Sequence, residues 1–351
     1  MLLTSTSSKR ISLSSYPIQV PEPQNFSADS VALPDLRNGE ILVQTLYLSV
    51  DPYIRGLLNP TGIGGNYPFF KLGETIVSSG VGRVVASVNE QFKPGDYVEG
   101  AYPWQERFIA DSFVDRLPWL GRGDRTGIRK LSYGLEHISD AIGLYGMPGL
   151  TAYFAIQTAD IQQGDLLVVS SAAGAVGSVA GQLAKLKGAT VVGLTSSGKK
   201  AEFLTQELKF DHALNYKSVT FAKELTAIAP EGVDVYLESV GGRVGELVMN
   251  QLKERTARIV LIGMVSTYND DKQSGYINVW PINLKSATMR GSMFYHFEDQ
   301  FPQAISELEM LKRDGKIRMP EAVLEGLEKA PTAFQELFAG RNIGKLIIKV
   351  S

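Results

Sequence analysis

The sequence predicts an α/β protein with two domains, a β-rich one followed by a doubly wound parallel sheet. Residues 1–142 contain short β-type runs separated by Gly- and Pro-rich turns, without intervening helical patterns. In residues 143–314, apolar runs alternate with helical patterns, as in a parallel sheet with helices on both faces. Residues 315–351 end in another β-type run. We therefore predict two domains, 1–142 and 143–314, and a C-terminal return over 315–351.

The composition is that of a soluble globular protein, with 44% hydrophobic and 21% charged residues in a chain of 351. The net charge of −2 gives no electrostatic reason to bind nucleic acid or an anionic membrane. No apolar run is long enough to cross a bilayer. The N-terminus lacks the basic and apolar regions of a secretory signal, so we expect a cytoplasmic protein. Its Ser-rich start with Lys9 and Arg10 leaves an organelle-transit segment open.

Cysteine is absent, and the only three histidines are widely spaced along the chain. Disulfide bonds and a catalytic thiol are therefore excluded. A zinc site built from Cys and His is excluded as well, because these side chains are its usual ligands. We therefore predict no bound metal.

Within the β-rich part, three runs have the composition of strands: 41–50, 81–88 and 96–100. The turn signal Lys93-Pro94-Gly95-Asp96 precedes the last of them. The Gly-, Pro- and Asn-rich segment 56–66 is predicted to be a loop that shapes the substrate pocket. The C-terminal run 344–350 is too short to form a domain, and we expect it to join this barrel-like sheet.

A glycine turn connects the first strand of the second part to a helix. The apolar run 166–169 leads into Ala172-Ala173-Gly174-Ala175-Val176-Gly177, and a helical pattern follows. A side chain at Gly174 would block a pyrophosphate from the backbone N–H groups at the helix N-terminus, and one at Gly177 would push the helix off the strand. Alone, this stretch is also compatible with a plain strand-to-helix turn. The apolar run 189–194 completes a strand–helix–strand unit and favours dinucleotide binding.

The tip of that second strand indicates the choice of cofactor. NAD-binding sites usually have Asp or Glu there, which hydrogen-bonds the ribose 2′-hydroxyl. This chain has Thr195-Ser196-Ser197-Gly198-Lys199-Lys200, with no acidic residue. Hydroxyl and ammonium groups would bind a 2′-phosphate that a carboxylate would repel, so we predict NADP, with NADPH as hydride donor. Alternatively, Ser197 caps the next helix and the lysines are solvated, and the two interpretations are compatible.

Four further strands complete the predicted sheet: 213–216, 232–238, 257–263 and 288–293. Helical segments separate most of them, and a helix beginning near Met147, with Pro148 in its first turn, precedes the whole unit. Alternation of this kind is typical of a Rossmann-type doubly wound sheet.

Motifs distributed over the whole chain resemble one family. The β-rich domain, the Rossmann domain and the returning strand resemble the medium-chain dehydrogenase/reductase superfamily. Within it, the chain is similar to the zinc-independent branch of prostaglandin reductases, plant alkenal double-bond reductases and bacterial curcumin reductase. The residues that carry this resemblance are 50–56, 146–153, 172–177, 210–211, 215–217, 240–242, 262–269 and 342–345. The resemblance implies a GroES-like barrel for the first domain and a homodimer whose strands pair edge to edge across 288–294.

The resemblance also implies which residues contact the cofactor. They are Gly174, Ala175, Val176, Gly177 and Ser178 at the pyrophosphate, Lys199, Lys200 and Tyr216 at the 2′-phosphate, Ile262, Gly263, Met264, Val265, Ser266 and Tyr268 beside the nicotinamide, Ser292, Met293 and Phe294 at the nicotinamide half, and Asn342 from the C-terminal return. Ser239 stands where the branch commonly has Asn, because this chain reads Glu238-Ser239-Val240-Gly241-Gly242 instead of Asp-Asn-Val-Gly-Gly. Its hydroxyl can donate one hydrogen bond but is shorter than an Asn side chain.

The chemistry implied is reduction of a carbon–carbon double bond conjugated to an aldehyde or ketone. The carbonyl oxygen must be stabilised as it becomes negative, and a proton must reach the α-carbon. Because zinc ligands are absent, hydrogen-bond donors must stabilise that oxygen. Candidates are the ribose 2′-hydroxyl of NADP and the phenols of Tyr53 and Tyr268, and the resemblance favours Tyr268 as the proton source. Either tyrosine can instead be a packing or ribose-contacting residue.

We therefore predict an NADPH-dependent 2-alkenal or enone reductase acting on small molecules. A quinone reductase of the neighbouring zinc-free branch shares the fold and the cofactor and stays open. A non-catalytic NADP-binding protein stays open as well. A zinc-dependent alcohol dehydrogenase is excluded by the missing ligands.

Overall fold

The computed structural model describes residues 7–60, 69–110, 128–131, 137–269 and 278–351. The chain divides into two compact units. The first comprises Met1–Ile142, Ala322–Asn342 and Leu346–Ser351, and the second comprises Gly143–Glu321 and Ile343–Lys345. Of the predicted loop 56–66, residues 61–66 lie outside the described residues.

The described residues form fifteen strands and nine helices. The strands are β1 (Ser7–Leu13), β2 (Phe26–Ala32), β3 (Ile41–Ser49), β4 (Val77–Ser87), β5 (Tyr97–Pro103), β6 (Arg107–Ala110), β7 (Ile128–Lys130), β8 (Leu166–Val169), β9 (Thr190–Thr195), β10 (His212–Asn215), β11 (Val235–Glu238), β12 (Arg258–Leu261), β13 (Thr288–Gly291), β14 (Glu321–Glu325) and β15 (Lys345–Lys349). The helices are α1 (Ile54–Leu57), α2 (Met147–Ala159), α3 (Ala175–Leu186), α4 (Gly198–Gln206), α5 (Phe221–Ile228), α6 (Gly242–Met249), α7 (Trp280–Lys285), α8 (Phe301–Arg313) and α9 (Ala330–Phe338). None of these helices combines the length and apolarity that crossing a membrane requires.

The second unit contains a six-stranded parallel sheet with the order β10-β9-β8-β11-β12-β13. Its central strands are short apolar runs that are almost completely buried, as expected for a sheet covered on both faces. The strand order reverses between β8 and β11, which is the topological switch point of a doubly wound fold. All six parallel strands predicted from the sequence are present, so the Rossmann prediction is confirmed.

The first unit is built on a seven-stranded sheet with the order β14-β15-β3-β4-β5-β7, and β6 also pairs with β3. The three predicted strands correspond to β3, β4 and β5, and β4 pairs antiparallel with both β3 and β5. The C-terminal strand β15 pairs antiparallel with β3, and β1 and β2 form an antiparallel pair of their own. Phe26, Trp104 and Phe334 pack in the core, with ring centroids 5.8 to 6.0 Å apart. The β-rich, mostly antiparallel architecture is therefore confirmed.

Candidate cofactor-binding and active site

The predicted cofactor residues of the second unit all follow the carboxyl ends of its parallel strands. In chain order they follow β8 (174–178), β9 (Lys199 and Lys200), β10 (Tyr216), β11 (Ser239), β12 (262–268) and β13 (292–294). Because the strands are parallel, these segments lie at one edge of the sheet. Doubly wound folds bind their ligands outside this edge, at the switch point.

The glycine loop between β8 and α3 has the geometry of an anion site. Gly174 is the N-cap of α3 and makes no side-chain bond to the first helical turn. The backbone N–H groups of residues 176 and 177 are therefore available to an anion at the positive end of the helix dipole. A Cβ atom at Gly177 would lie 2.6 Å from the Ser171 carbonyl oxygen, so a side chain there would displace the helix. Ser178 is fully buried, and its hydroxyl donates within the helix. The loop fits a pyrophosphate.

The C-terminal return is anchored on this loop through Gly344. Its backbone N–H donates to the Ala173 carbonyl oxygen over 2.7 Å, and Gly344 forms a parallel bridge with Gly174. Gly344 has a φ of +73°, and a Cβ atom there would overlap the Pro320 carbonyl oxygen, so the position requires glycine. Asn342, the predicted cofactor contact from the return, stands two residues earlier in the chain.

Two lysines and a tyrosine occupy the segments that follow β9 and β10, which are neighbours in the sheet. Burial lowers the pKa of Lys200 from its ordinary value, and the nearby ammonium group of Lys217 lowers it further. Burial raises the pKa of the Tyr216 phenol, and a hydrogen bond with Ser196 acts in the opposite direction. Two neighbouring ammonium groups that are partly removed from water are stabilised when an anion binds to them. A 2′-phosphate would supply that anion.

Ser197 caps helix α4. Its Oγ accepts a hydrogen bond from the Lys200 backbone N–H over 3.4 Å. Lys199 is exposed, whereas Lys200 is half-buried and is the lysine that interacts with Lys217. Capping uses only the backbone N–H of Lys200, so the side-chain ammonium group stays available to an anion. Helix capping by Ser197 and anion binding by Lys200 are therefore compatible, as predicted.

At the switch point, Ser239 is bound to Ser170, which follows β8. Their hydroxyl oxygens are 3.0 Å apart, and the Ser239 backbone N–H donates to Ser170 Oγ over 2.7 Å. The Ser239 hydroxyl is thus held in place by the protein. Ser170 was not predicted, because its role depends on a partner 69 positions away in the sequence.

Tyr268 ends the segment 262–268, whose residues are half-buried except for the exposed Ser266. A Cβ atom at Gly263 would lie 3.4 Å from the Tyr268 hydroxyl oxygen, an ordinary contact distance, so this hydroxyl lies beside Gly263. Burial raises the pKa of Tyr268, and a hydrogen bond with the Met264 backbone acts in the opposite direction. The phenol is therefore protonated at neutral pH and can donate a hydrogen bond or a proton.

The segment after β13 is mostly engaged within the protein. Ser292 is buried, and its hydroxyl oxygen lies 3.1 Å from that of Thr158. Phe294 is buried and stacks on Phe301, with the ring centroids 6.1 Å apart. Met293, in contrast, is 43% exposed. Of these three predicted cofactor contacts, Met293 has the accessible side chain.

Tyr53 stands at the N-terminus of α1 in the first unit. Its hydroxyl is buried and has no hydrogen-bond partner within the described part of the chain. Burial raises its pKa well above the ordinary value, and the Asp51 carboxylate adds to the shift. A buried hydroxyl without a protein partner suits a hydrogen bond to a ligand.

Comparison with known proteins identifies the family. Residues 9–114 match the model for the N-terminal domain of oxidoreductases, and residues 175–310 match the model for zinc-binding dehydrogenases. The protein YfmJ of Bacillus subtilis is 39% identical over 98% of this chain and 98% of its own length. Prostaglandin reductase 1 of Rattus norvegicus is 36% identical over 94% of this chain and 95% of its own. The chain belongs to the medium-chain dehydrogenase/reductase superfamily.

A solved structure supports the same branch of this superfamily. CurA from Vibrio vulnificus, in complex with NADPH, has a TM-score of 0.88 and 32% identity, covering 98% of this chain and 99% of its own. The medium-chain reductase described here is thus an oxidoreductase of the prostaglandin and curcumin reductase kind, which confirms the resemblance inferred from its motifs.

The description of one family model names zinc, but this reductase has no cysteine. Across the residues that the structure describes, no group of three or more His, Asp or Glu side chains could hold a metal ion. The Cys-containing zinc site of other medium-chain dehydrogenases therefore has no counterpart in this chain.

Sequence reasoning assigned no role to Ser170, Lys217 or Gly344 of this reductase. The Gly344 backbone supports the glycine loop, and Lys217 adds a second charge beside Lys200. Gly344 and Lys217 stood within motifs that carried the resemblance, but only the pairing of β8, β9 and β10 with their neighbours shows what they do.

Proposed function

We propose that this chain reduces the carbon–carbon double bond of α,β-unsaturated aldehydes and ketones. The cofactor is NADP, and NADPH supplies the hydride to the β-carbon. The observation that carries the proposal is the position of the half-buried Tyr268 phenol after β12, at the edge of the sheet where a doubly wound fold binds its ligand. The similarity to prostaglandin reductase 1 supports a reduction as the reaction.

The two tyrosines would provide the stabilisation of the carbonyl oxygen that a metal ion would otherwise provide. As the hydride arrives, negative charge develops on the carbonyl oxygen, and a hydrogen-bond donor lowers the energy of that state. The Tyr268 phenol donates to this oxygen or passes a proton to the α-carbon. The Tyr53 hydroxyl, which is buried and has no partner among the residues that the structure describes, is the second candidate donor.

We expect the segments that follow different strands to contact different parts of the cofactor. We assign the pyrophosphate to residues 174–178, and the 2′-phosphate to Lys200 with Tyr216 and the exposed Lys199. Ser239 and residues 262–268 would line the nicotinamide side. Met293 and Asn342 would complete the contacts, together with the backbone of Ser292 and Phe294.

A panel of NADPH-oxidation assays tests the reaction. Alkenals, enones and quinones are offered separately, with and without a metal chelator, and each product is identified by mass spectrometry. We expect saturated aldehydes and ketones, formed at the same rate with chelator. Quinols as the sole products would show a quinone reductase, and NADPH that binds without being oxidised would show a non-catalytic NADP-binding protein.

We also propose a homodimer formed through β13, the edge strand of the parallel sheet. The N–H groups of Thr288 and Ser292 bond to β12, so the backbone groups of Met289 and Gly291 point outward, unpaired within the described sheet. Helix α7, which immediately precedes β13 in the chain, exposes two large apolar side chains, Trp280 at 60% and Leu284 at 62%. An open strand edge and exposed apolar side chains both favour association with a second copy.

Charged substitutions on α7 test the dimer. The double variant Trp280→Asp/Leu284→Asp is expected to halve the particle mass in light scattering coupled to size exclusion, because two carboxylates cannot be buried unpaired. Val219→Asp, at a fully exposed valine elsewhere on the unit, is the matched control and should leave the mass unchanged. A wild-type chain that is monomeric, or a double variant that stays dimeric, would contradict this interface.

A further inference from the structure

A buried carboxylate lies at the switch point of the sheet. Glu238, the last residue of β11, is 1% exposed. Its Oε1 atom accepts hydrogen bonds from the backbone N–H groups of Val240 (2.7 Å) and Gly241 (3.0 Å). It also lies 3.1 Å from the Ser170 hydroxyl, whose single proton is shared with the Leu237 carbonyl oxygen at 3.0 Å. The Oε2 atom of Glu238 accepts a hydrogen bond from the Tyr236 hydroxyl (2.8 Å).

These four hydrogen-bond donors hold the buried carboxylate in one position. A buried carboxylate is costly unless its oxygens are satisfied, and hydrogen bonds to a charged acceptor are the strong kind. None of the four donors is a cation, so the group is held by geometry and not by an ion pair. Two donors are backbone amides of one turn, and therefore the Oε1 atom of Glu238 fixes the shape of that turn.

The turn in question, residues 239–242, is unusual in its backbone. Gly241 has a φ of +74° and Gly242 a φ of +60°, a conformation that needs external support. The outward carbonyl groups of the turn hold the next segment: Ser239 O accepts from Val265 N–H and Val240 O from Ser266 N–H, both over 3.0 Å. A short chain of hydrogen bonds thus runs from the carboxylate to the segment that ends at Tyr268.

Helix α6 contains a matching feature at Gly245. A Cβ atom built there would overlap Oε2 of Glu238, while its next neighbours, Glu238 Cδ at 3.5 Å and the Tyr236 hydroxyl at 3.8 Å, are at ordinary contact distances. The carboxylate alone therefore excludes a side chain from this position. Gly245 acts as a spacer that makes room for the full length of Glu238.

We propose that Glu238 is a positioning residue, and that Gly245 is the spacer it requires. The carboxylate orders the turn 239–242 and, through it, the segment 265–268 that holds the nicotinamide half of the cofactor and aims Tyr268. This inference rests on the proposed function for the assignment of that segment. The carboxylate itself touches neither cofactor nor substrate.

The first test separates positioning from stability. Glu238→Asp withdraws the carboxylate by one methylene, so that it cannot reach the Tyr236 hydroxyl and both amides together. We expect kcat to fall about 10-fold and the NADPH dissociation constant to rise about 5-fold, because a displacement of the order of 1 Å is enough to misalign a reacting group. Binding of 2′,5′-ADP, which lacks the nicotinamide half, should be unchanged. Glu238→Gln keeps the length and two acceptor bonds, and should retain more of kcat than Asp.

The second test addresses the spacer. Gly245→Ala should lower the melting temperature and kcat in the wild-type background, but cost little in the Glu238→Asp background, where the shortened acid leaves space for the methyl group. Gly181→Ala is the matched control, since it is also a helical glycine whose Cβ would overlap a side chain, that of Phe210. Its cost should be the same in both backgrounds.

Three results would overturn the inference. A Glu238→Asp enzyme with a lower melting temperature but unchanged kcat and NADPH affinity would make the residue structural only. Equal loss of NADPH and 2′,5′-ADP binding would show a general disruption of the cofactor unit. An equal cost of Gly245→Ala in both backgrounds would refute the spacer. The binding and melting measurements need no substrate, so they do not depend on the proposed substrate class. An error in that class would appear only as a lack of activity in the assay of the wild-type enzyme.

Discussion

Tyr268→Phe is expected to lower turnover of an enone by about 10–1000-fold, the usual range for the loss of one donor or acid, with NADPH affinity nearly unchanged. The substitution removes only the hydroxyl oxygen, which lies beside Gly263, and keeps the ring in the half-buried segment 262–268. Since the raised pKa of the phenol keeps it protonated, wild-type turnover should not fall through tyrosine ionisation between pH 6 and pH 9. Steady-state kinetics and NADPH fluorescence titration measure the two effects separately.

Two further phenol deletions make this result specific. Tyr97→Phe removes an exposed hydroxyl from β5 and should leave both quantities unchanged. Tyr53→Phe tests the competing donor, whose hydroxyl is buried without a partner within the described residues. If the Tyr268→Phe variant reduces enones at the wild-type rate, the proton comes from water or the ribose hydroxyl, and Tyr268 only lines the pocket. A variant that loses stability and NADPH binding together would show a packing tyrosine.

Those parts of the fold that depend on local rules were predictable from the sequence. The glycines at 174 and 177 are required by backbone geometry around a single loop, and they occur within one short motif. The central parallel strands β8, β9 and β11 are buried on both faces, so each is a recognisable apolar run. In contrast, β2 is mostly exposed and polar, and β1 alternates weakly, so neither carries a clear strand pattern.

Candidate site residues that act alone and follow a strand end could be located from the sequence. Residues whose role depends on a hydrogen-bond partner far away in the sequence could not be located as easily. The ammonium groups after β9 and the phenol after β12 follow strand ends that the pattern located. The partnership of Ser239 with Ser170, and of Ser292 with Thr158, joins residues 69 and 134 positions apart. Such pairs depend on strand order, which the apolar pattern alone does not determine. Glu238 carried a local signal, since an acid that ends a buried apolar strand needs buried donors.

Lys200→Ala is expected to weaken NADPH binding by about 1.5–3 kcal/mol, roughly 10- to 150-fold, because it removes a charge-assisted contact with the 2′-phosphate. NADH lacks that phosphate, and its affinity should change little. Competition with 2′,5′-ADP and 5′-AMP measures the same difference without any reaction. Lys199→Ala, which removes an exposed lysine, should have a smaller effect, and Lys187→Ala is a matched control at an exposed lysine after α3.

The pH dependence gives this assignment a second readout. Burial and the Lys217 charge lower the pKa of Lys200 in the free protein, so its ammonium group loses its proton at a lower pH than an ordinary lysine does. The contact with the phosphate is complete below that pKa and is lost as the pH rises through it. NADPH affinity should therefore decline in the alkaline range, while NADH affinity should stay level, and Lys200→Ala should abolish the difference between the two profiles. Equal losses of NADPH and NADH affinity in Lys200→Ala, or parallel pH profiles in the wild type, would contradict a 2′-phosphate contact at Lys200.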